Sequence, residues 1–80
     1  MALNQQSQSM LLKAREAKQN HKIDLAINFY EQFLKKNKNA EDIRYEFATF
    51  LAVHNRTKEA ISEFKALLKN NSQNAFLQAN

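Results

Sequence analysis

Eighty residues make one domain of modest core, 44% apolar and 25% charged, with 12 Lys+Arg against 8 Asp+Glu for a net charge of +4. The chain has no Gly, Pro, Cys or Trp. Without glycine there is no phosphate-cradling loop, dinucleotide fingerprint or nucleophile elbow, because each needs backbone that a Cβ would block; without cysteine there is no disulfide, thiolate nucleophile or Cys-ligated zinc.

Eleven Ala and nine Leu, set against one Val and two Thr, favour helices over strands. With Gly and Pro missing, Asn, Asp, Ser and Thr must mark the helix ends. Residues 1–6 read as a flexible N-terminal tail. The first helix is expected at about 7–20 and closes on Asn20-His21-Lys22. The second spans about 24–37, opened by Asp24 and closed by Lys35 and Lys36 before Asn37-Lys38-Asn39. The third spans about 41–54, with Glu41 and Asp42 at the end where the helix dipole favours anions. It is apolar nearly all round (Ile43, Tyr45, Phe47, Ala48, Phe50, Leu51, Ala52, Val53), as in a helix that is buried on several sides or covers a partner. The fourth follows Asn55-Arg56-Thr57 over about 58–70, closing on Lys69, and a stub starts near 74. Connections of two to four residues force neighbouring helices to lie antiparallel.

The residues that could carry chemistry are few. No apolar run exceeds the four residues Phe50 to Val53, so neither a membrane-spanning helix nor a signal-peptide core is expected, and a soluble, cytoplasmic setting is favoured. His21 and His54, with no Cys or fixed carboxylate beside them, read as polar turn residues, and no metal or cofactor is expected. Glu59/Glu63 and Asp42/Glu46 are carboxylate pairs one turn apart that read as solvated faces. Ser7, Ser9, Ser62 and Ser72 lack a positioned base and read as caps, so no enzyme is expected. Lys13, Arg15, Lys18 and Lys22 could face nucleic acid, but they share no narrow face and have no aromatic among them.

Sliding the chain against itself by 34 residues places Ala14 on Ala48, Ala26 on Ala60, Ile27 on Ile61, Tyr30 on Phe64, Phe33 on Leu67 and Leu34 on Leu68. Lys22 falls on Arg56, Lys35 on Lys69 and Asn37 on Asn71. The paired alanines let two helix axes approach closely, and the larger residues fill the space one turn further along.

This pattern resembles the tetratricopeptide repeat, a helix–turn–helix unit of 34 residues. The stretch from Asn55 to Phe64 is similar to that family's turn and second helix, and His21 to Tyr30 follows it closely. The chain departs from the family where Met10 and Arg44 stand for its Trp, Ala14 and Ala48 for its Gly, and Lys38 and Ser72 for its closing Pro. Phe33 and Leu67 replace a small residue usual late in the second helix. The resemblance implies an all-α fold of antiparallel helical hairpins stacked as a short right-handed solenoid. One repeat would span 7–40 and a second 41–74, with 75–80 starting a third or forming a capping helix.

It further implies a protein-interaction module that receives a peptide or partner helix in a concave groove. By register, Gln8, Leu11, Arg15, Lys18 and Gln19 would line that groove, then Asp42, Tyr45, Thr49, Ala52 and Val53. The Lys/Asn clamp with which some members hold a chaperone's terminal carboxylate is not assembled, since Leu11/Arg15 and Tyr45/Thr49 occupy its places. About three repeats are usually needed to bury both faces of such units, so a longer protein is expected. Alternatively, the exposed end near Ile61, Phe64 and Leu68, with Phe76 and Leu77, would pack on its twin as a homodimer.

Overall fold

A computed structural model describes residues 5–71, and side chains through Lys69. The described residues are helical and contain no strand: α1 is Gln5–Gln19, α2 Ile23–Lys36, α3 Glu41–Val53 and α4 Thr57–Asn71. Helix α1 packs on α2, and α3 on α4. Each expected helix is present, with ends displaced by one or two residues. The largest displacement corrects the N-terminal tail: α1 begins at Gln5, so Gln5 and Gln6 are helical. Residues 72–80, where the stub and the capping helix were expected, lie outside the described residues, as do 1–4.

The chain divides into two compact units between Ala40 and Glu41. In the first unit, α1 buries Ser7, Leu11, Ala14 and Ala17 along one face, while α2 buries Ala26, Ile27, Tyr30, Phe33 and Leu34. Ala14 and Ala26 are wholly buried, as residues at a close helix approach must be. Ser7 is not a cap. It stands inside α1 and is buried, and its hydroxyl oxygen accepts a hydrogen bond from Asn37 Nδ2 at 3.1 Å. The same amide donates to the Phe33 carbonyl at 2.9 Å and so also closes the end of α2.

In the second unit, α3 buries Ile43, Phe47, Ala48, Phe50 and Leu51. On α4 Ala60 is buried, while Glu63, Phe64, Ala66 and Leu67 are half-buried. Arg44 on α3 donates from a guanidinium nitrogen to Glu63 Oε1 on α4 at 2.7 Å, with both side chains largely covered. Its Nε is buried without a hydrogen-bond partner, so this ion pair is held at a desolvation cost.

The turns within the two pairs match bond for bond at the 34-residue spacing. His21 and Asn55 both take left-handed backbone, with φ of 60° and 64°. Around the first, the His21 N–H donates to the Lys18 carbonyl at 3.1 Å and the Lys22 N–H to the Ala17 carbonyl at 2.9 Å. Around the second, the Asn55 N–H donates to Ala52 at 3.3 Å and the Arg56 N–H to Leu51 at 2.9 Å. This is the Schellman closure, in which a left-handed residue lets the last carbonyls of a helix find donors. Lys22 and Arg56 then accept from Ala26 and Ala60, both at 2.9 Å, so each turn ends where the next helix starts.

Glycine would adopt this backbone without the Cβ penalty that histidine bears. His21→Gly is expected to stabilise the fold by about 0.5–1 kcal/mol and to raise the melting temperature by several degrees. Asn55→Gly should gain less, because asparagine tolerates the left-handed region better than histidine. Thermal melts followed by circular dichroism decide this, and a lowered midpoint in His21→Gly would refute the strain argument.

Candidate partner-binding surface

Helix α3 presents two unlike arcs. Ile43, Phe47, Ala48, Phe50 and Leu51 are buried, whereas Asp42, Tyr45, Thr49, Ala52 and Val53 follow one another along the opposite, exposed arc. Tyr45 and Val53 are 60% and 69% exposed despite their apolar bulk. The apolar circumference read from the sequence thus resolves into a core face and an outer stripe.

On α1 the expected groove residues do not form one surface. Leu11 is buried, so it belongs to the core of its unit; its neighbour Leu12 carries the exposed apolar surface instead. Sequence register missed Leu12, although an apolar residue one place off the buried face was the available signal. Gln8 and Gln19 are exposed, and Arg15 and Lys18 are half-buried. Lys13 and Lys22, the other residues of the nucleic-acid reading, are exposed.

On α4, Ile61 and Leu68 are about half exposed and Phe64 is half-buried. The Phe64 ring meets Tyr45 edge-on, with centroids 6.0 Å apart and planes at 72°. Tyr45, which sequence register placed in a groove, and Phe64, which it placed in a self-association patch, therefore belong to one continuous surface. Phe76 and Leu77, the remainder of that patch, lie outside the described residues.

Comparison with protein-family models, with curated proteins and with solved structures found no match. Function must then be argued from these surfaces.

The polar residues singled out in the sequence take local roles. His21 holds the left-handed turn position, and His54 stacks edge-on against Phe50 at 4.7 Å. Among the described residues, no group of three or more His, Asp or Glu stands close enough to hold a metal ion. Glu63 is engaged by Arg44, and Glu59 lies 4.0 Å from Arg56. Ser9 and Ser62 are exposed within helices, and Ser72 lies outside the described residues. No helix among the described residues is long and apolar enough to cross a membrane.

Proposed function

We propose that this chain is a protein-interaction module built from two helix–turn–helix repeats of tetratricopeptide type, stacked as a short right-handed solenoid. Its activity is binding, with no covalent step. The 34-residue register and the paired left-handed turns at His21 and Asn55 support the repeat. One observation carries the functional reading: α3 keeps Tyr45, Ala52 and Val53 in solvent beside Asp42 and Thr49, along an arc opposite its core face. Large apolar side chains aligned on an exposed helix face are what a partner helix or peptide uses as anchors.

Photo-crosslinking tests this reading. A benzophenone amino acid placed at Tyr45 or Val53 in the full chain is expected to capture a discrete protein partner from its own cells. The same group at exposed Glu16 or Lys36 should capture much less. Equal capture from all four positions would remove the α3 face from the reading.

Self-association is the second reading, favoured by the exposure of Ile61 and Leu68. Sedimentation equilibrium over a wide concentration range separates the two: a monomer throughout leaves the surface free for a different protein, and a dimer moves self-assembly ahead.

A further inference from the structure

We propose that the side of the second helix pair formed by Tyr45, Ile61, Phe64 and Leu68 docks an amphipathic partner helix with acidic residues along one flank. This rests on reading the chain as an interaction module, and it adds both the surface and the chemistry of the occupant.

The first observation compares equivalent positions. One repeat earlier, the same four places hold Leu11, Ile27, Tyr30 and Leu34, and all four are buried. In the second unit Tyr45 is 60%, Ile61 47% and Leu68 49% exposed, with Phe64 half-buried. A face that is apolar in both units is thus covered in one and open in the other.

The second observation is continuity. Ile61, Phe64 and Leu68 stand at i, i+3 and i+7, a stripe along one side of α4 about 10 Å long. The edge-on contact of Phe64 with Tyr45 extends that stripe onto α3. Anchors so spaced suit the apolar face of a single helix laid across them.

Charge identifies the occupant. Lys58, Lys65 and Lys69 are exposed and share the edge of α4 beyond the stripe. The acids of α4 lie on the side away from the stripe, where Glu63 is bonded to Arg44 at 2.7 Å and Glu59 stands 4.0 Å from Arg56, while on α3 the exposed Asp42 stands beside Tyr45. A ligand lying on the stripe therefore meets ammonium groups along one flank. A second copy would bring the same lysines and a net charge of +4, which its exposed Asp42 offsets only in part. Residues 72–80 of this chain contain no acid at all. An apolar helix flanked by Glu or Asp is the complement that remains.

The probes are two synthetic helical peptides with one leucine face. One carries a row of glutamates on a flank, and its twin carries lysines there. Fluorescence anisotropy with the full chain is expected to give saturable, micromolar binding of the glutamate peptide, with the lysine twin at least about tenfold weaker. Amide shift changes should centre on Tyr45, Ile61, Phe64 and Leu68. Ile61→Ser with Leu68→Ser should weaken the glutamate peptide about tenfold while the helical circular dichroism is retained. Lys58→Glu with Lys65→Glu, both at exposed positions, should reverse the preference between the twins.

Four outcomes would overturn the proposal. Neither peptide binding would do so, as would equal binding of both. Shift changes confined to Thr49, Ala52 and Val53 would leave the module reading standing and remove this face from it. Tighter peptide binding after Phe76→Ser with Leu77→Ser would assign the face to the chain's own C-terminal residues. Capture failing at Tyr45 and Val53 alike, by contrast, would count against the module reading itself.

Discussion

Replacing Phe47 by alanine is expected to unfold most of the chain at room temperature. Phe47 is 1% exposed and stands on the α3 core face with Ile43, Phe50 and Leu51, at i−4, i+3 and i+4. Its loss removes the ring's burial and leaves a cavity that the neighbouring turns can only partly close, at a cost of about 3–5 kcal/mol. A chain of 80 residues with no cysteine to form a disulfide holds a total stability of about the same size. The folded population should therefore collapse, read as lost helical circular dichroism or as a urea midpoint near zero. Phe64→Ala is the internal control. That ring is only partly buried, so the same truncation should cost clearly less. Equal costs for the two would contradict the burial pattern.

The second large effect runs the other way, through excess volume. Ala48 and Ala60 are 0% and 3% exposed in a pair of helices that pack together. Ala48→Leu adds three carbons where the packing leaves no room, which forces side chains off rotamer or the helices apart, at about 1–3 kcal/mol or more. Arg44 lies one turn before Ala48, so the 2.7 Å bond to Glu63 should loosen with it. Ala52→Leu, one turn later on the exposed arc, should leave stability within about 0.5 kcal/mol of the parent. Urea unfolding of both variants decides the matter, and matched stabilities would mean that the pair does not approach closely at Ala48.

Much of the local architecture was legible in the residues. Ala and Leu in excess over β-branched residues meant helices, and Asn20-His21-Lys22, Asn37-Lys38-Asn39 and Asn55-Arg56-Thr57 lie at the three joints found. The self-alignment at 34 residues anticipated two turns that share the same hydrogen bonds. What these punctuating residues do was less legible. Side-chain capping was expected of them, yet Lys22 opens α2 with no side-chain cap, and the left-handed backbone at His21 and Asn55 closes the helices instead. A left-handed position usually announces itself as glycine, and this chain has none. Ser7 was misread for a similar reason. Its partner, Asn37, is thirty residues away, beyond the reach of any local rule.

The candidate surface was half legible. Register places Tyr45, Val53 and Leu11 together in one groove; Tyr45 and Val53 are exposed, but Leu11 is buried. Register fixes which way a side chain leaves its helix and says nothing of what lies opposite it. The lysine edge of α4 escaped notice for a related reason. Lys58 and Lys65 gain meaning only once Ile61 and Leu68 beside them are known to face solvent.

By itself the sequence determined the helices, their order, their joints and the pairing of α1 with α2 and of α3 with α4. The helices and joints follow from propensity and apolar spacing, and the pairing from the 34-residue repeat. It also determined that α2 and α4 carry matching apolar faces. Only the tertiary structure decided that Ile27, Tyr30 and Leu34 are covered while Ile61, Phe64 and Leu68 remain open to varying degrees. The physical reason is that hydrophobicity sets how strongly a face seeks cover. Whether cover arrives depends on which other surface lies against it, and no single helix encodes that.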